Sequence, residues 1–232
     1  MSCTTSFGRR SPPTTGGSDV FDDVDTSGSV FLTKWAELAA DLELAPEPTS
    51  DIGFDLAACH TEPHRHYHTM KHIEAVLGHL HDLHVTTPTA RLAAFFHDAI
   101  YDPTRSDNEA QSAQLASEVL RAVDRPEVDD VVAIIEATAT HQLPVDGPRE
   151  CAAFLDADLA ILAARPEVYD EYTANVRAEY SHMSDDDFRS GRAAVLTGFL
   201  DRSELFFTTA GQARFEQLAR ANLRREISLL SD

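Results

Sequence analysis

Apolar residues recur at three- and four-residue steps along most of this chain, and that spacing limits what it can fold into. Phe31, Leu32, Trp35, Leu38, Ala39 and Leu42 line one face of a helix, as do Ile73, Val76, Leu77 and Leu80, and again Val128, Val131, Val132 and Ile135. Further helices fit residues 91–99, 108–123, 151–163, 167–182, 185–200 and 210–230. Start signals support them: Asp107 precedes Asn108, Pro166 stands at a first turn, and Ser184 is followed by Asp185, Asp186 and Asp187, carboxylates that suit the positive end of a helix dipole. Alternating β-branched runs are missing. The chain is expected to be all-α.

The folded body reads as one domain over residues 30–232, whose long apolar C-terminal helices either complete the core or bury a dimer face, so a homo-oligomer is an open expectation. Residues 1–29 are mostly Ser, Thr, Gly, Pro and Asp, too poor in apolar groups to offset the entropy of ordering them, and read as a disordered tail. With 19 Lys and Arg against 39 Asp and Glu, the net charge is −20. Such a field repels phosphate polymers and anionic lipid, which speaks against nucleic-acid and membrane partners. No apolar stretch approaches the length of a membrane span, and the N-terminus lacks the apolar region of a signal peptide. Cys3, Cys59 and Cys151 lie far apart without C-x-x-C spacing, so neither a disulfide framework nor a zinc knuckle is expected, and a reducing cytoplasm is the simplest location.

The histidines carry the chemistry. Of 11, His60, His64, His66, His68 and His72 crowd one stretch, while His97 and Asp98 sit together in Ala-Ala-Phe-Phe-His-Asp-Ala-Ile. Burying an imidazole and a carboxylate in so apolar a segment costs several kcal/mol unless they are paired or hold a cation. His68 and His72, four residues apart, share a face if one helix contains both. Asp156 and Asp158 lie in a second apolar helical context. His60, His64, His66, His79, His81, His84 and His182 read as solvated surface residues.

Ordered blocks along the chain bear a resemblance. They are R-H-Y-H-x-x-x-H-I (Arg65 to Ile73), F-H-D-A-I-Y-D-P (Phe96 to Pro103), D-N-E-x-x-S-A (Asp107 to Ala113), A-T-x-x-H (Ala137 to His141) and F-L-D-A-D-L-A-I-L (Phe154 to Leu162). R-x-E-Y (Arg177 to Tyr180), Gly191-Arg192 and A-R-x-N-L (Ala219 to Leu223) follow. The series His72, His97-Asp98, Asp158 resembles the H…HD…D signature of the HD superfamily of metal-dependent phosphohydrolases, and the blocks together resemble a bacterial group of predicted phosphohydrolases within it.

That resemblance implies a helical bundle around a metal held by His72, His97, Asp98 and Asp158. Such ligands suit one or two ions of Mn, Fe, Zn, Ni or Co, with Mg also admissible. It implies a phosphomonoesterase or phosphodiesterase in which metal-activated water attacks a small phosphorylated molecule, with a nucleotide the expected type. Asp98 would also bridge to a second ion. His68 is similar in position to the proton-donating histidine of cyclic-nucleotide phosphodiesterases; the group usually has Asn next, where this chain has Thr69. Glu109 is expected to orient water or a ligand. His141 reads as a ligand of a second metal, a phosphate contact, or equally a satisfied core histidine beside Thr138 and Thr140. Arg65, Lys71, Arg177 and Arg192 are expected to supply positive charge to the phosphate. Two rival readings are an HD-fold di-iron oxygenase, disfavoured by Tyr101 four residues after His97, and a metal-stabilised binding or regulatory module without turnover.

Overall fold

The structure, a computed structural model, describes residues 26–231, so the expected tail lies outside the described residues as far as residue 25. Ten α-helices and no strand occur among the described residues: α1 (Thr26–Asp41), α2 (Pro46–Cys59), α3 (Met70–Asp82), α4 (Pro88–Phe96), α5 (Asn108–Ala122), α6 (Val128–Thr138), α7 (Cys151–Asp158), α8 (Pro166–Glu179), α9 (Asp185–Leu200) and α10 (Thr209–Ser231). A 3-10 segment, Leu159–Ala163, follows α7. Helix α1 begins four residues before the expected start at residue 30, because burial of Phe31 and Trp35 fixes the preceding turn and Thr33 closes it by donating to the Ser29 carbonyl.

The predicted seams are the buried faces. Phe31, Trp35, Leu38 and Leu42 are buried on α1, Ile73, Val76 and Leu80 on α3, and Val128, Val131 and Ile135 on α6. They meet α4, where Leu92, Phe95 and Phe96 are fully buried and Phe95 stands edge-on to both Phe31 and Trp35 at 5.1 and 5.2 Å between ring centres. Helix α6 packs on α4 and α5, α3 packs on α1 and α7, and α10 packs on α9 and the 3-10 segment. The stripe Phe215, Ala219 and Leu223 of α10 completes the core.

Two boundaries bear on the site. Helix α4 starts earlier than read, with Pro88 in its first turn and the Thr87 hydroxyl capping the Ala90 N–H, and it stops at Phe96, leaving His97 as its C-cap and Asp98 beyond it. Helix α3 starts at Met70, so His68 precedes the helix and does not share its face with His72; the two rings still approach to 5.9 Å. Helix α2 has no counterpart among the predicted elements. Its Phe54 points outward while Gly53 lies against Trp35, and a Cβ at Gly53 would come within 2.4 Å of the indole, so the apolar seam is interrupted where α1 and α2 approach most closely.

Candidate metal centre

Four expected ligands converge. His72 from the first turn of α3 and His97 from the end of α4 bring their Nε2 atoms to 3.1 Å. Oδ1 of Asp158, the last residue of α7, lies 3.1 Å from His72 Nε2 and 3.5 Å from His97 Nε2. Oδ2 of Asp98 lies 3.1 Å from His97 Nε2 and 3.4 Å from His72 Nε2. His97 fixes the meaning of this geometry, because its Nδ1 lies 3.0 Å from the Ala94 carbonyl, which can only accept. The proton of a neutral His97 ring therefore sits on Nδ1, and the Nε2 lone pair faces another imidazole nitrogen and two carboxylates. Lone pairs so directed require a proton or a cation among them, and His72, His97 and Asp158 form a group that could hold a metal ion, with Asp98 beside it.

The charge balance agrees. Burial presses the His97 imidazole towards neutrality, yet Asp98 and Asp158 outweigh it and raise its pKa well above the ordinary value. His72 is raised in the same way, with Asp158 and then Asp98 overcoming burial. Burial raises the Asp98 and Asp158 carboxyls, but the facing imidazoles and, for Asp158, a hydrogen bond with His141 hold both well below the usual range.

Arg65 builds this site from beneath. Its guanidinium, buried beneath the end of α4, donates from Nε and Nη2 to Glu62, from Nη1 to the carbonyls of His68 and Asp98, and from Nη2 to that of Ala99. All five N–H donors are committed, which leaves none for the phosphate contact expected of Arg65. The remaining expected cations are also placed otherwise. Lys71 is exposed and does not line the cavity, because the register that buries His72 turns its neighbour outward. Arg177 clasps Asp185 and the carbonyls of Tyr180 and Met183, tying α8 to α9, and it too is off the cavity wall. Arg192 reaches the cavity but is held by Glu226 and the Tyr172 hydroxyl. One further reading changes, and the place of Asp156 becomes clear. His60 is buried, not solvated, packed on Phe31 with its pKa lowered to about 3 by burial and then by Arg65. Asp156 faces away from the ligands and accepts from the N–H groups of Phe207 and Thr208 and from the Thr208 hydroxyl, anchoring the entry to α10.

One residue beside the site has no counterpart among the expected site residues. Glu179, the last residue of α8, is buried, and its Oε1 accepts the backbone N–H groups of His66, Tyr67 and His68. Its Oε2 faces His68 Nδ1 at 2.7 Å and accepts the Tyr101 hydroxyl at 2.8 Å. The carboxylate fixes the His68 proton on Nδ1 and leaves Nε2 as the transferable position, with the Tyr101 ring stacked on the imidazole at 4.2 Å. Thr69 therefore need not orient His68. In sequence Glu179 stands within R-x-E-Y as one acidic residue among many.

Burial raises the Glu179 carboxyl, but His68 and the three backbone donors bring it down to about 2. A depressed carboxyl contributes stability above its unfolded value and loses it as pH falls through the folded value. Glu179→Gln is accordingly expected to narrow the stability gap from wild type as pH falls from about 4.5 to about 2, read by melting temperature against pH. In the same variant a proton donor acting through His68 is expected to lose on the order of 100-fold in kcat, with KM little changed.

His68, His72, Asp98 and Asp158 line a cavity of about 970 Å³ that also includes Glu109 and His141. The His141 Nε2 lies 2.9 Å from Asp158 Oδ2, the oxygen turned away from His72 and His97. Its backbone is left-handed at φ 47°, and its carbonyl is held by Arg202. His141 thus stands at the cavity wall as the partner of a ligand, not in the core. Tyr101, four residues after His97, spends its hydroxyl on Glu179. Among the described residues no helix is long and apolar enough to cross a membrane. Comparison of the chain with protein-family models, curated proteins and solved structures found no match.

Proposed function

We propose that this chain is a metal-dependent phosphohydrolase of the HD superfamily, a phosphomonoesterase or phosphodiesterase of a small phosphorylated molecule. The observation that carries the reading is the convergence of His72, His97, Asp98 and Asp158, of which His72, Asp98 and Asp158 line the cavity that also receives His68. Those four residues would hold a divalent ion of the Mn, Fe, Co, Ni or Zn type. When bound, such an ion lowers the pKa of water and neutralises charge developing on phosphorus.

The chain's own side chains do the rest. His68, its Nδ1–H held by Glu179, presents Nε2, which in the doubly protonated imidazolium would donate its proton to the leaving oxygen and return to the neutral ring. Glu109, half-buried on the same wall, is placed to accept a proton from an approaching water. His141 fixes the Asp158 carboxylate so that its other oxygen stays aimed at the imidazoles.

Protein purified without chelator is expected to carry about one or two transition-metal ions per chain and to release phosphate from simple phosphate esters. Chelation should remove both properties and added metal should restore them. Protein that retains all four ligands yet binds no metal, or phosphate release indifferent to chelation, would sink the reading.

A further inference from the structure

The cavity wall opposes two kinds of surface. Beside the candidate ligands it carries Val176, Met183, Val195, Leu196 and Phe199 from α8, α9 and their connection. Val195 is 54% exposed although it lies on this wall. Helix α9 also turns Gly191 and Gly198, seven residues apart, towards the space. Glycine inside a helix is destabilising relative to alanine, yet a Cβ built at either position meets no atom within 4 Å. Packing within the protein does not call for these glycines; they keep one side of the cavity low. At about 970 Å³ the space lies at the upper end of ordinary small-molecule sites.

Charge restricts the occupant further. Among the described residues no lysine lines the cavity, and its two arginines are each partly engaged, Arg192 through Nε and Nη2 with Glu226 and Tyr172, and Arg202 through Nη1 and Nη2 with the carbonyls of His141 and Thr140. Asp98, Glu109, Asp158 and Asp201 face the same space. One or two divalent ions and these partly engaged arginines can balance a single phosphate, whereas four carboxylates and the absence of lysine on the wall disfavour the greater negative charge of a di- or triphosphate.

We infer that the site, on the phosphohydrolase reading above, takes a singly phosphorylated ester with an apolar body larger than one ring, and discriminates against nucleoside polyphosphates. The α9 face at Gly191 and Gly198 sets the room for that body. The test uses the metal-loaded protein with 1-naphthyl phosphate, glycerol phosphate and ATP, following phosphate release, together with fluorescence titration of 1-naphthyl phosphate binding. Wild type is expected to favour 1-naphthyl phosphate by about 10-fold or more in kcat/KM over each of the others. Gly198→Leu and Gly191→Leu, which fill open space and improve helix propensity, should each cut the ratio of kcat/KM for 1-naphthyl phosphate over glycerol phosphate by about 10-fold, chiefly through KM. Faster turnover of ATP, or a ratio unmoved by both leucine variants, overturns the inference while leaving the phosphohydrolase standing. If none of the three esters is hydrolysed, the phosphohydrolase reading fails. Binding of 1-naphthyl phosphate that the leucine variants weaken then still supports the apolar cavity, and absence of binding overturns it.

Discussion

Asp98→Ala is expected to lower phosphate release by about 1000-fold or more and to strip bound metal, while the fold survives. The carboxylate approaches both His72 and His97, so its loss removes one ligand and one of the two charges that hold the pair. Folding is spared because the end of α4 is secured through the Asp98 carbonyl, which Arg65 grips and which alanine retains. Metal content, phosphate release and a thermal melt on one preparation separate the effects. Activity that survives the substitution would show that the chemistry lies elsewhere.

A substitution beneath the site acts in the opposite sense. Arg65→Leu is expected to cost about 3–5 kcal/mol, because it removes one partner of a buried ion pair and leaves the carbonyls of His68, Asp98 and Ala99 without their donor. For a chain of this size that corresponds to a fall of roughly 10 °C in melting temperature. Arg65→Lys should recover only part of the loss, since an ammonium cannot meet four acceptors spread around a planar fork. A melting temperature unchanged in the leucine variant would show that Glu62 and the three carbonyls are satisfied in another way.

The contrast between these residues shows which information the sequence exposes. Periodicity reveals a helix when one face is continuously apolar, as on α1, α3 and α6. It failed for α2, where a glycine meets Trp35 and a phenylalanine faces out. The cluster around His97 and Asp98 was legible because an imidazole and a carboxylate are costly in so apolar a setting. The work of an arginine is not legible in that way. Arg65, Arg177 and Arg192 are chemically alike, and only the carbonyls and carboxylates that fold around each one determine whether it has a donor to spare. Glu179 was hidden for a related reason: an acidic residue at a helix end is ordinary in sequence, and its five donors come from segments about 80 to 110 residues away.

That separation has a consequence for how the parts of the site depend on one another. All four candidate ligands lie between residues 72 and 158, whereas the carboxylate that seats His68 belongs to α8. Glu179 accepts the three successive amides of residues 66–68, so the segment bearing His68 is held in place from α8. A fault in the packing of α8 would therefore unseat His68 without removing any of the four candidate ligands.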